Sequence, residues 1–134
     1  MFIAVLLAIA APAVGAPPPS EAQVEARYTK AYHACFKTGD AARGVTSAML
    51  DCNSLEIDRQ DGVLNRTYRA TMARLPKARQ TQLRTSERAW IKRSDAHCVA
   101  VGNEAGGGSA AGLASNSCTL SEIVKRTMWL ERYR

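Results

Sequence analysis

The sequence predicts an all-α fold, a small disulfide-stapled bundle of about four helices with a long Gly-rich loop before the last one. Three observations predict it. No stretch alternates polar with β-branched residues over more than a few positions, while apolar residues recur at three- and four-residue steps along most of the chain. The first 16 residues are almost wholly apolar and uncharged, and Pro17, Pro18, Pro19 and Ser20 then end the run, which is the pattern of a cleaved signal peptide. Finally, all four cysteines, Cys35, Cys52, Cys98 and Cys118, follow that leader, and an even count in an exported chain implies disulfides.

The leader is too short for a membrane span, which needs about 20 apolar residues, and Pro12 interrupts it. Cleavage after Ala16 satisfies the small-residue rule, and Ala11-Pro12-Ala13 offers a second site. The expectation is a periplasmic or secreted protein, not an integral membrane one. Residues 17–134 then form one domain, long enough for a single modest core.

Taken in order, Ser20-Glu21-Ala22-Gln23 has the form of a capping box, and Val24, Tyr28, Ala31, Tyr32 and Cys35 continue one stripe, so a first helix is predicted to end near Gly39. Gly39, Asp40 and Gly44 mark a turn, and Thr46 is placed as the next N-cap. From there no proline intervenes until Leu75-Pro76, giving about 45 Å of second helix with Met49, Ile57, Leu64, Tyr68, Met72 and Leu75 as its apolar stripe. A third helix is predicted over roughly 77–101, carrying Leu83, Trp90, Ile91, Cys98 and Val101 on one side and Arg84, Arg88 and Lys92 at four-residue spacing on another. Residues 102–117 hold five glycines and three serines and are expected to form a loop, with Gly106, Gly107, Gly108 and Ser109 as a candidate partner-binding segment. Thr119 and Glu122 repeat the capping-box spacing and are expected to open a short last helix bearing Ile123, Thr127 and Leu130.

Four cysteines permit three pairings. The economical one joins Cys35 to Cys52 across the first turn and Cys98 to Cys118 across the Gly-rich segment, and the other two stay open. By chain-entropy arithmetic each such bridge closes about 20 residues and contributes roughly 3 kcal/mol, a large fraction of the stability of a small domain.

Candidate chemistry is sparse. There is no C-x2-C pair, and His33 and His97 lack a spacing suited to tetrahedral zinc, so no metal or other cofactor is expected. Asp61 lies between Ile57 and Leu64 at helical steps and is expected to point inward, with Asn65 one turn on and Arg93 or Arg88 as its counter-charge. Glu56 is a second acid nearby, but a five-residue separation sets the two side chains about 140 degrees apart, which does not make facing carboxylates for hydrolysis. Ser109, Ser115 and Ser117 lack a nucleophile elbow, and Trp90 and Trp129 sit at core positions. No catalytic residue and no enzymatic activity are expected.

The register Cys52-x3-Glu56-x4-Asp61-x2-Leu64-Asn65-x2-Tyr68, followed by Leu83, Arg88-Ala89-Trp90-Ile91, Asp95, Cys98, Gly107-Gly108-Ser109, Cys118, Arg126 and Leu130, resembles the small exported domains typified by the mycobacterial lysozyme inhibitor LprI. One departure stands out. An arginine that the family carries falls on Ser94 here, with Arg93 one place earlier, which moves the guanidinium about 100 degrees round the helix and leaves Arg88 or Arg126 to take its role. The resemblance implies a structural polar network of Glu56, Asp61, Asn65, Arg88, Arg93, Asp95 and Arg126, and a function as a non-covalent occluder of a lysozyme cleft. Against that stands the charge. The chain has 18 basic and 12 acidic residues, net +6, and animal-type lysozymes are themselves basic, so long-range repulsion should slow their encounter. The alternative is a basic module for anionic envelope polymers or lipids, using Arg84, Arg88, Lys92, Lys125, Arg126, Arg132 and Arg134. An envelope protein of structural role is a third reading, and nucleic acid is not an expected partner of an exported chain.

Overall fold

The computed structural model describes residues 16–134, so the expected signal peptide lies, Ala16 apart, outside the described residues. Among the described residues there is no strand. Six helices follow one another: α1 (Glu21–Glu25), α2 (Lys30–Phe36), α3 (Gly39–Ala42), α4 (Thr46–Arg74), α5 (Lys77–Glu104) and α6 (Gly108–Arg132). The all-α, two-disulfide architecture is the expected one, with Cys35 joined to Cys52 and Cys98 to Cys118.

The first predicted helix is instead two short ones, α1 and α2, and α3 occupies the predicted turn. The Ser20–Gln23 capping box opens α1 as expected, but the backbone at Thr29 is extended, with φ −72° and ψ 157°. The reason is tertiary. The Thr29 amide and hydroxyl both donate to the Glu56 carboxylate on α4, at 2.8 and 2.6 Å, so that amide is withdrawn from the helical ladder, and the same hydroxyl oxygen accepts from the Tyr32 amide to cap α2 at 3.2 Å. Gly39 and Gly44, at φ 56° and 79°, bracket α3 where the sequence marked a turn.

α4 and α5 follow the predicted spans closely. Val45 rather than Thr46 occupies the N-cap of α4. The X-Pro step at Leu75-Pro76 ends α4 in an extended residue, and the Gln80 amide donates to the Met72 and Leu75 carbonyls left open there.

The 16-residue loop is the main correction. α5 runs on to Glu104 and α6 begins at Gly108, so only three residues connect them. Gly106, Gly107 and Gly108, all with φ between 63° and 89°, make the reversal, whereas Gly102 and Gly112 are helical. Gly102 allows the two helices to touch: a Cβ there would lie 3.0 Å from the Ala111 carbonyl oxygen and 3.1 Å from the Ser115 Cβ. Thr119 is accordingly no N-cap but a mid-helix residue whose hydroxyl donates to the Ser115 carbonyl. Glycine and serine content read as loop because it was counted locally, while the small side chains serve close packing against α5, stapled by Cys98–Cys118.

α6 is the axis of the bundle. It packs along both α4 and α5, which make little contact with each other, and it buries Leu120, Ile123, Val124, Arg126, Thr127 and Leu130 on more than one face. The core gathers Leu64, Leu75, Leu83, Ile123 and Leu130, with Ile57, Tyr68, Met72, Trp90 and Trp129 packed against it. α1 adds Val24, which is fully buried.

Candidate functional site

Glu56 is the one buried carboxylate among the described residues, with 0% of its surface exposed. Besides the two bonds from Thr29 it accepts from the Gln60 amide at 2.8 Å and from Arg59 at 3.1 Å. Burial alone would push its pKa up, but the hydrogen bonds from Gln60, Thr29 and Arg59 outweigh that and hold the carboxyl below its ordinary value. One helical step away, Asn53 is fully buried, accepting from the Tyr32 hydroxyl at 3.1 Å and donating to Ser117 at 2.9 Å. The Thr29, Tyr32 and Ser117 contacts tie α2 and α6 to α4, those of Gln60 and Arg59 lie within α4, and together they leave the Glu56 carboxylate closed to a substrate.

Asp61 does not point inward. It is exposed and accepts only from Asn65, also exposed, at 3.0 Å. The 140-degree argument explains the exchange: with Glu56 turned inward to Thr29, Asp61 lies at the outer rim of the cleft between α4 and α5. Arg88, Arg93 and Asp95 are exposed as well and form no ion pair among the described residues. The single expected network is therefore two separate hubs, the second built on Arg126. That side chain, 6% exposed, donates to Glu87 at 2.8 Å and Ser86 at 3.0 Å, and its guanidinium lies 3.9 Å from the Trp129 ring centre and 5.6 Å from that of Trp90. Burial lowers its pKa, and Glu87 opposes that shift; the ring faces and the carboxylate together hold the cation in the core.

Thr29, Gln60, Asn53 and Glu87 escaped the sequence reading. A signal for the α4 members existed: Cys52, paired with Cys35, must face the preceding segment, and Asn53, Glu56 and Gln60 continue that same face at three- and four-residue steps. Thr29 and Glu87 lie on other elements and carry no such mark.

Gly106, Gly107, Gly108 and Ser109 lie together, all exposed, at the tip of the α5–α6 hairpin. Two clefts open between α4 and α5. One of about 260 Å³ lies beside Asp61, Trp90 and Asp95; the other, of about 350 Å³, is lined by Asp61, Tyr68, Arg84 and Arg88. Among the described residues no helix is long and apolar enough to cross a membrane.

A family model described as lysozyme inhibitor LprI matches residues 38–130. No curated protein and no solved structure matches the chain.

Proposed function

Because the chain belongs to the LprI lysozyme inhibitor family, we propose that it is an exported, non-enzymatic inhibitor that binds a lysozyme and occludes its substrate cleft without covalent chemistry. The family match over residues 38–130 carries the reading, and the α5–α6 hairpin supplies a means. Its tip, Gly106 to Ser109, lies at the three-residue connection between two stapled helices. A tip of that kind loses little conformational entropy on entering a cleft, which favours binding over a mobile loop of the same residues.

The test is lysis of peptidoglycan by several types of lysozyme, with and without the oxidised protein, at low and moderate salt. Saturable inhibition with defined stoichiometry is expected, together with a loss of about tenfold or more for Ser109→Trp, a bulky change at an exposed position in the contact. Failure to inhibit any lysozyme refutes the proposal. The anionic-envelope reading has one observation in its favour: Arg84, Arg88 and Lys92 form an exposed row on α5 with no ion-pair partner among the described residues. Binding of that kind weakens steeply with salt, whereas inhibition of a like-charged enzyme is salt-tolerant.

A further inference from the structure

α4 and α5 each pack on α6 but scarcely on each other, so a groove runs between them with α6 as its floor. Toward the Cys98 end it is lined by Asp61 from α4, Trp90, Ile91 and Asp95 from α5, and Glu122 and Ile123 from α6. Two features of this stretch run against the rest of the molecule. Ile91 is 54% exposed at its lip, one of only four large apolar residues so exposed among those described. Every charged residue in the lining is acidic, on a chain of net charge +6. Asp61 and Asp95 have no basic partner among the described residues, and Glu122 has only Lys125, 3.6 Å away on its own helix.

We propose that this groove docks a lysine or arginine side chain, with an apolar neighbour, from the surface of a basic lysozyme. The inference rests on the inhibitor reading and assigns a second contact surface to it. The cationic head meets Asp61, Asp95 and Glu122, while its aliphatic stem and the neighbouring side chain cover Trp90 and Ile91. The cleft holds about 260 Å³, below the usual ~300–1,000 Å³ of small-molecule sites, and suits an inserted side chain better than a free ligand. Farther along, toward the Leu75-Pro76 turn, Arg84 and Arg88 join Asp61 and Glu87 in the lining, so the acidic excess is confined to the Cys98 end and fixes which way round a cationic segment lies. Local complementarity of this kind removes the objection that two basic proteins repel, because short-range pairing at the contact is screened less than the net charges are.

Calorimetric titration with a basic animal-type lysozyme tests the assignment, with lysis measured on the same preparations. Asp95→Lys and Ile91→Lys each change an exposed side chain of the groove. Asp51→Lys, at an exposed position outside it, makes the same change in net charge as Asp95→Lys. We expect each groove variant to lose about tenfold in affinity, since a lysine placed in the groove repels the docked cation, and the control to stay within about twofold. If lysozyme is inhibited and the groove variants bind as the control does, the groove assignment is wrong and the inhibitor reading stands. If lysozyme binds with groove-dependent affinity but keeps its activity, the assignment stands and the inhibitor reading fails. No binding at all overturns both. Thermal melts establish folding, and should Asp95→Lys fail to fold, Asp95→Asn is read in its place with a smaller loss in the same direction.

Discussion

Removing the Glu56 side chain should be the most damaging single change on α4. Four hydrogen bonds reach its carboxylate, from the Thr29 amide and hydroxyl, Gln60 and Arg59, at 2.6 to 3.1 Å. The Arg59 side chain is 40% exposed, so solvent screens its share to a few tenths of a kcal/mol. The Thr29 and Gln60 bonds carry the rest: they are charge-assisted, their acceptor has no access to water, and without it the donors lose their partner inside the fold. Glu56→Ala should therefore cost about 3–5 kcal/mol, the range for breaking a buried charged cluster. Glu56→Gln keeps the volume but turns one acceptor into a donor facing other donors, and should cost about 2 kcal/mol. The assay is urea unfolding of the oxidised protein followed by far-UV circular dichroism, with linear extrapolation to water. Acid adds an independent reading. The folded-state pKa of Glu56 lies below its unfolded value of 4.5, so its contribution is complete above pH 4.5 and is lost as pH falls through the lower folded value. Wild-type stability should decline along that limb and Glu56→Gln should lack this component. A cost below about 1 kcal/mol for Glu56→Ala would refute the claim that this carboxylate breaks the first helix and holds α2 on α4.

Two further outcomes follow from single side chains. Gly102→Ala should destabilise the protein by about 1 kcal/mol net, because overpacking against the fixed Ala111 carbonyl costs about 1–3 kcal/mol and the better helix propensity of alanine returns only about 1 kcal/mol; a more stable variant in urea would show that α5 and α6 can move apart freely. Tyr28 has its pKa pushed up to about 12 by burial first and then by Tyr32, Glu21, Glu25 and Glu56. Between its ordinary 10.0 and that value the folded chain keeps a proton that the unfolded chain releases, so stability should fall as pH rises through this window. An absorbance titration of the phenolates should show a late step that Tyr28→Phe removes, and a titration ending near pH 10 in the wild type would contradict the burial.

Features that depend on residues a few positions apart were legible in the chain. Periodicity and the Leu75-Pro76 step located α4 and α5, the Ser20–Gln23 box opened α1, and the spacing of four cysteines made one pairing economical. The candidate hairpin tip was also legible, since three successive glycines suit a reversal at positive φ. Tertiary structure decided the rest. The first helix breaks at Thr29 because its amide bonds a carboxylate 27 positions away. Residues 108–117 are helical because small side chains let α6 lie close along α5, an advantage invisible to a local count of glycines. The inward carboxylate is Glu56 and not Asp61 because α4 turns its Cys52–Asn53–Glu56–Gln60 face toward α2 and α6, and which face of a helix is covered depends on partners that the helix itself does not encode.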